Sequence, residues 1–173
     1  MKKLTGLILS LLLLACGKTE VKEPIIYEGP LREMEDMELF YSQNSAVKVK
    51  MITPLVYEFK NDDKEFPKGL YLEFYDVMGN LESTLKANHA FYFKSENKWR
   101  GRGDVVVKNV IKHEQLNTEE LFWTPADEKI FTDKFVTIRE QGNVIYGEGM
   151  KANQDLSDFE IKKVTGVIEV KEE

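Results

Sequence analysis

A chain of 173 residues with 24 basic and 30 acidic side chains and a net charge of −6 has room for one ordinary domain, at roughly 100 to 200 residues per domain. Its apolar fraction of 42% and aromatic fraction of 11% are those of a folded globular protein. A mean hydropathy of −0.38 excludes an integral bundle of apolar helices, and the acidic balance lacks the basic face that a nucleic-acid partner requires.

The amino terminus reads as a targeting segment. Met1-Lys2-Lys3 is a short basic start, and Leu4 to Leu14 is an apolar run well short of the ~20 residues a membrane span needs. It closes on Leu13-Leu14-Ala15-Cys16, which is similar to the bacterial lipobox, where a small residue admits the signal peptidase and the cysteine thiol takes a diacylglycerol. Residues 1–15 are therefore expected to be a lipoprotein signal peptide, and Cys16 the lipidated start of a mature protein outside the cytoplasm. Cys16 is the sole cysteine, so neither an internal disulfide nor a thiolate cluster can form. From residue 16 to 35 the chain is polar, mixed in charge and broken by Pro24 and Pro30, which reads as a flexible tether with little order before residue 35. Residues 36–173 form the domain.

Met34, Met37 and Leu39-Phe40-Tyr41 lead into a first strand. Val47-Lys48-Val49-Lys50-Met51 alternates strictly, which puts three apolar side chains on one face and two lysines on the other. Leu55-Val56-Tyr57-Glu58-Phe59 follows Pro54. Asn61 to Lys64 and Phe66-Pro67-Lys68-Gly69 are turns, and Leu70 to Tyr75 is the next strand, closed by Asp76-Val77-Met78-Gly79-Asn80.

Beyond Leu85 one pattern is written more than once. Shifted by 31 positions, Leu116 takes the slot of Leu85, Leu121-Phe122-Trp123 that of Ala90-Phe91-Tyr92, Ile130 that of Trp99, and Val136-Thr137-Ile138 that of Val105-Val106-Val107. A weaker third copy runs through Val144-Ile145-Tyr146, Met150, Phe159, Ile161 and Val167-Ile168. Turn-rich stretches at 95–98, 109–115, 124–128, 140–143 and 154–158 separate the runs. A fixed period with short alternating runs is the signature of stacked β-hairpins, whereas helices would repeat at i, i+3 and i+4. The expected fold is all-β, a sandwich, barrel or jelly-roll whose copies align alternate residues on one continuous apolar interior. Sheets that close tightly make that interior a core; sheets that splay into a V make it a groove for alkyl chains. An interior sealed along its side and at both mouths would leave only a packed sandwich.

The residues from Phe66 to Asp76 with Gly79, then Leu85-Lys86-Ala87-Asn88 with Ala90 and Tyr92, then Trp99-Arg100-Gly101-Arg102-Gly103-Asp104-Val105, resemble the LptC family of lipopolysaccharide export. So do Leu116 to Trp123, Ile130 to Ile138 and Gly147-Glu148-Gly149-Met150. The similarity runs from about Met34 to Val170 and is to the lipoprotein form found in Bacteroidetes-like bacteria. It implies an OstA-like β-jelly-roll with a V-shaped apolar interior. It also implies a periplasmic carrier that receives lipopolysaccharide from an inner-membrane ABC transporter of the LptB, LptF and LptG kind and passes it to an LptA-like bridge. In that picture the acyl chains of lipid A lie against Ala90, Tyr92, Trp99, Val105, Val107, Leu121, Trp123, Ile130, Val136 and Ile138. Jelly-rolls of this kind join edge to edge, so Val164, Val167 and Val170 are the expected partner edge. The family's enterobacterial members hold the membrane with an uncleaved helix, a role that acylation at Cys16 can fill; the family role favours the inner membrane.

No catalytic constellation stands out, no cofactor is implied, and the expectation is that the protein is not an enzyme. His89 and His113 lack further ligands at metal-binding spacing, Glu119-Glu120 and Asp127-Glu128 read as solvated edges, and Gly101-Arg102-Gly103 is not followed by a helix that could bind phosphate. The alternative function is an envelope lipoprotein β-sandwich that binds glycans or scaffolds a complex, which predicts aromatics on an outer face.

Overall fold

The computed structural model describes residues 27–140 and 142–166, and among them eleven strands form one continuous antiparallel sheet. β1 (Arg32–Gln43) and β2 (Ala46–Glu58) make the first hairpin, followed by β3 (Lys64–Phe66), β4 (Leu70–Tyr75), β5 (Leu81–Ala87) and β6 (His89–Phe93). β7 (Lys98–Asn109), β8 (Glu114–Thr124), β9 (Lys129–Glu140), β10 (Asn143–Asn153) and β11 (Phe159–Val164) then run as a meander. The all-β, jelly-roll-like expectation holds, and the turns fall where glycine, asparagine and aspartate cluster. β1 begins earlier than its apolar residues suggest, because Glu33 and Glu35 are carried into the ladder by pairing with Tyr57 and Leu55 of β2.

The sheet is folded over on itself. β4 pairs with β2 at Val49–Ile52 and β5 pairs with β7 at Val106–Asn109, while β3 takes Tyr57 and Glu58 of β2 and β6 takes Lys98–Arg102 of β7. β3 also pairs with β6, so a hydrogen-bonded circuit leaves β2 by two routes and meets again at β7. Each long strand must then bend from one layer into the other. Register breaks mark the bends between Arg102 and Val105 in β7, Thr118 and Phe122 in β8, and Glu148 and Met150 in β10. In β1 the bend falls at Asp36, opposite Pro54. Gly103 (φ 72), Asp104 (φ 46), Gly149 (φ 74) and Asp36 (φ 47) supply the left-handed backbone there, the conformation that lets a bulge turn a strand sharply. The crease is thus written into one or two residues per strand.

Between the layers lies the core. β4 buries Leu70, Leu72 and Phe74 in strict alternation with Tyr71, Glu73 and Tyr75, and the edge of the Phe74 ring meets Trp123 across the interior at 5.2 Å and 84°. The sequence period also has a plain origin. Leu85 and Leu116 flank Val107, Ala90 and Leu121 flank Gly101, and Tyr92 and Trp123 flank Trp99, so equivalent residues recur two strands apart on the same inward row.

Candidate functional site

The ten residues expected to line the interior are brought together there. Ala90, Val105, Val107, Leu121, Trp123, Ile130, Val136 and Ile138 are buried, and Tyr92 and Trp99 are half-buried against them. Trp99 stacks obliquely on Tyr92 at 4.7 Å, on Phe66 at 5.3 Å and on Trp123 at 5.9 Å. The two layers are shut on each other in this conformation, so the interior is a packed core and not the V-shaped groove expected from the resemblance, because facing side chains fill it. The space left among Leu70, Leu72, Leu85, Ala90, Trp99, Leu121 and Trp123 is ≈ 10 Å³, about the room of one water. Arg100 lies on the opposite, outward face of β7, its Nε buried and unpartnered and its guanidinium 5.5 Å from the centre of the Phe93 ring.

Opposite the crease the layers meet through one short loop. The turn between β10 and β11 belongs to the second layer, the one built on β3 and β6, yet it is fastened to the free end of the first. Asn109 Nδ2 donates to the Asp155 carbonyl at 2.7 Å and the Ser83 hydroxyl to the Gln154 carbonyl at 3.4 Å. The Trp123 indole donates to Gln154 Oε1 at 2.9 Å, and the Gln154 amide to the Glu128 carbonyl at 2.9 Å. Leu156, held at φ 60, is 2% exposed and enters the core. Asn109 is itself 3% exposed. Sequence reasoning read this stretch as a turn only; a leucine among polar turn residues is the signal it offered.

Carboxylates crowd the same junction. Burial pushes Glu82 and Glu114 above the usual carboxylate range, and the negative charge of Asp155 adds to both. Glu114 is 5% exposed with Oε2 lacking any hydrogen-bond partner. Negative charge therefore works against closure where Asn109 and Ser83 work for it.

Among the described residues the folded sheet carries an inward apolar row along its length, with a hydrogen-bonded loop across its open side. A family model for lipopolysaccharide-assembly, LptC-related proteins matches residues 34–169. The chain belongs to that family. No curated protein matches it. Membership gives the LptC-related domain a part in lipopolysaccharide transport and assembly in the cell envelope, in a family of transport components rather than enzymes.

Outside its interior this LptC-related domain carries a second concave feature. Across β6, β7, β8, β9 and β10 the outward residues Phe91, Arg100, Phe122, Phe131 and Lys151 stand in one register row. Phe122 and Phe131 stack at 5.3 Å, and Phe131, Lys129, Lys151 and Lys162 border a cleft of ≈ 590 Å³. Lys162 pairs with Asp133 at 2.5 Å, which holds the Asp133 carboxyl below its usual range. His89 Nε2 lies 2.8 Å from Glu65, and among the described residues no three His, Cys, Asp or Glu side chains gather as metal ligands. Of the expected partner edge, Val164 is exposed at the end of the outermost strand β11. Val167 and Val170, the signal segment and Cys16 lie outside the described residues.

Proposed function

We propose that the protein carries lipopolysaccharide by its acyl chains, taking them between the two layers from an inner-membrane ABC transporter of the LptB, LptF and LptG kind and handing them to an LptA-like bridge. The observation that carries this reading is the interior itself. Its apolar row is continuous from Leu85 to Ile138, yet its open side is held by the 154–158 loop instead of a further strand. In the closed conformation the lumen is filled by the protein's own side chains, so transport takes place through parting of the layers at that loop. Each methylene of an acyl chain transferred from water into the opened interior gains about 0.8 kcal/mol, enough to offset net negative charge on both partners. Lipid attachment at Cys16 keeps the carrier at the membrane, with the inner membrane as the site of loading.

A photoreactive side chain at Trp123 or Ile138 tests this in cells. Adducts with lipopolysaccharide at these inward positions, exceeding those from a probe at the exposed Glu128, support the carrier. Equal labelling at all three positions, or none, overturns it.

The outward aromatic row favours a second reading, an envelope module that binds glycan. Phe122, Phe131 and the flanking lysines are suited to stacking a sugar and pairing its phosphate or carboxylate. It requires that a phosphorylated saccharide without acyl chains bind the purified protein, with loss of binding on Phe131→Ala. The carrier requires that such a saccharide fail to compete with intact lipopolysaccharide.

A further inference from the structure

Two neighbouring turns at the free end of the first layer share one uncommon feature, a pair of consecutive aliphatic residues at the tip. Residues 76–80 join β4 to β5, and residues 110–113 join β7 to β8. Such tips are normally Gly, Pro, Asn, Asp and Ser, but these present Val77 and Met78, 79% and 81% exposed, and Val110 and Ile111, 41% and 62% exposed. The two tips are side by side, because β5 pairs with β7 up to Ser83–Asn109 and the Val110 amide then donates to the Glu82 carbonyl at 2.9 Å.

Both turns are stiff. Asp76 Oδ1 accepts from the Met78 and Asn80 amides at 2.8 and 2.9 Å, while Oδ2 accepts from Asn80 Nδ2 at 2.9 Å. Asn109 Oδ1 accepts from the Ile111 and Lys112 amides at 2.9 and 2.8 Å. Four aliphatic side chains are therefore held out into solvent on a pre-ordered base, with none of the collapse by which a mobile loop would hide them. The base also lies on the same side as the chain's entry. β1 starts at Arg32 at the end of the second layer away from the crease, and the Asn109 to Asp155 hydrogen bond shows that the ends of the two layers meet.

We infer that Val77, Met78, Val110 and Ile111 are a contact for a lipid bilayer, dipping into its interfacial zone beside the mouth of the folded sheet. The residue types and their place beside the chain's entry decide between lipid and protein. The residues sit at the ends of two hairpin turns, and they include none of the Trp, Tyr or Arg side chains that anchor protein interfaces. A bilayer needs no complementary pocket. Exposed Lys108 and Lys112 flank the second tip and are its contacts for lipid phosphates, set against the Glu82, Glu114 and Asp155 carboxylates of the same junction, while Asp76 is engaged by hydrogen bonds within its own turn. This inference does not depend on the acyl-carrier reading, since it concerns a membrane free of lipopolysaccharide.

The test uses the full chain with Cys16→Ser, so that no acyl group contributes, and single cysteines at Met78, Ile111 or, on the outward face near the crease, Lys86. Each is labelled with an environment-sensitive fluorophore and mixed with phosphatidylethanolamine and phosphatidylglycerol vesicles carrying a quencher in the hydrocarbon layer. The labels at 78 and 111 shift to the blue and are quenched, while the label at 86 stays in water. In a Val110→Cys reporter, adding Met78→Asp and Ile111→Asp lowers the vesicle-bound fraction of the tip by about ten-fold or more, with unchanged thermal unfolding because neither side chain is packed. Labels at 78 and 111 that remain in water, or a label at 86 quenched as strongly, overturn the inference. A photoprobe at 111 that yields only protein adducts in cells assigns the tips to a protein partner and overturns it as well.

Discussion

Glu114 and Leu156 show how single residues set the balance of closure. Glu114 buries a carboxylate with one oxygen unpartnered, and burial raises its folded-state pKa above the unfolded value. The folded state then holds the proton more tightly, so stability is fully present below the unfolded carboxylate range and is lost as pH rises through the raised folded value. Lys112 opposes the shift; Glu140 and Asp155 reinforce it. Glu114→Gln removes the charge and is expected to raise the melting temperature at neutral pH and to flatten its decline above the carboxylate range. A melting series across pH checks this, and an unchanged slope refutes it. Leu156→Ala acts in the opposite direction. Removing a buried leucine costs about 2 to 5 kcal/mol in a rigid core, and a loop that can partly collapse places the loss near the lower figure, measured by denaturant unfolding. Because Leu156 fills the junction of the layers, the variant also admits an environment-sensitive apolar dye that the parent excludes.

Strands carry the next level of specification, and here much was legible. The alternation of Leu70, Leu72 and Phe74 and the 31-residue recurrence of Trp99, Val105 and Val107 in Ile130, Val136 and Ile138 named the inward rows correctly. Pleating forces that pattern on any half-buried strand, so local sequence suffices. The crease was less visible, since Asp36 and Asp104 give no sign in sequence that their φ is positive. The closing loop was invisible as such, because its ties join residues 71 and 46 apart in the chain. The candidate site shares this limit: an inward apolar row reads alike for a core and for a groove, and only the packing of both layers distinguishes them. The outermost strand yields its own prediction. The Thr165 amide donates to Tyr146 at 2.8 Å across the β10–β11 pair, so Val164, one residue earlier, turns its N–H toward the open edge. Val164→Pro therefore removes an outward donor while sparing the pairing with β10. The expected outcome is an unchanged melting temperature with loss of copurification of a bridge protein that adds a strand to this edge. Retained copurification removes β11 as the partner edge.

At the scale of the molecule, the proposed carrier role asks the sheet to part along its crease, against the burial of the core between its layers. The covalent chain links the layers at the crease through every long strand, whereas at the free ends the loop ties are the Asn109 and Ser83 hydrogen bonds and the seat of Leu156. An intramolecular hydrogen bond contributes about 0.5 to 1.5 kcal/mol net, so these ties cost far less to release than any pair of adjacent long strands. A cross-link should then separate opening from folding. Cysteines at Ser83 and Gln154, brought close by the present hydroxyl to carbonyl contact, are joined by a short bis-thiol reagent in a Cys16→Ser chain. The linked protein is expected to melt higher and to lose binding of a fluorescent lipid A, while the unlinked double variant binds as the Cys16→Ser parent does. Equal binding by linked and unlinked forms means acyl chains do not enter between these layers. Binding by neither form, with amide exchange along β8 and β9 slowed by the link, means the layers do part but not to admit lipid, and the carrier role falls while the parting itself stands.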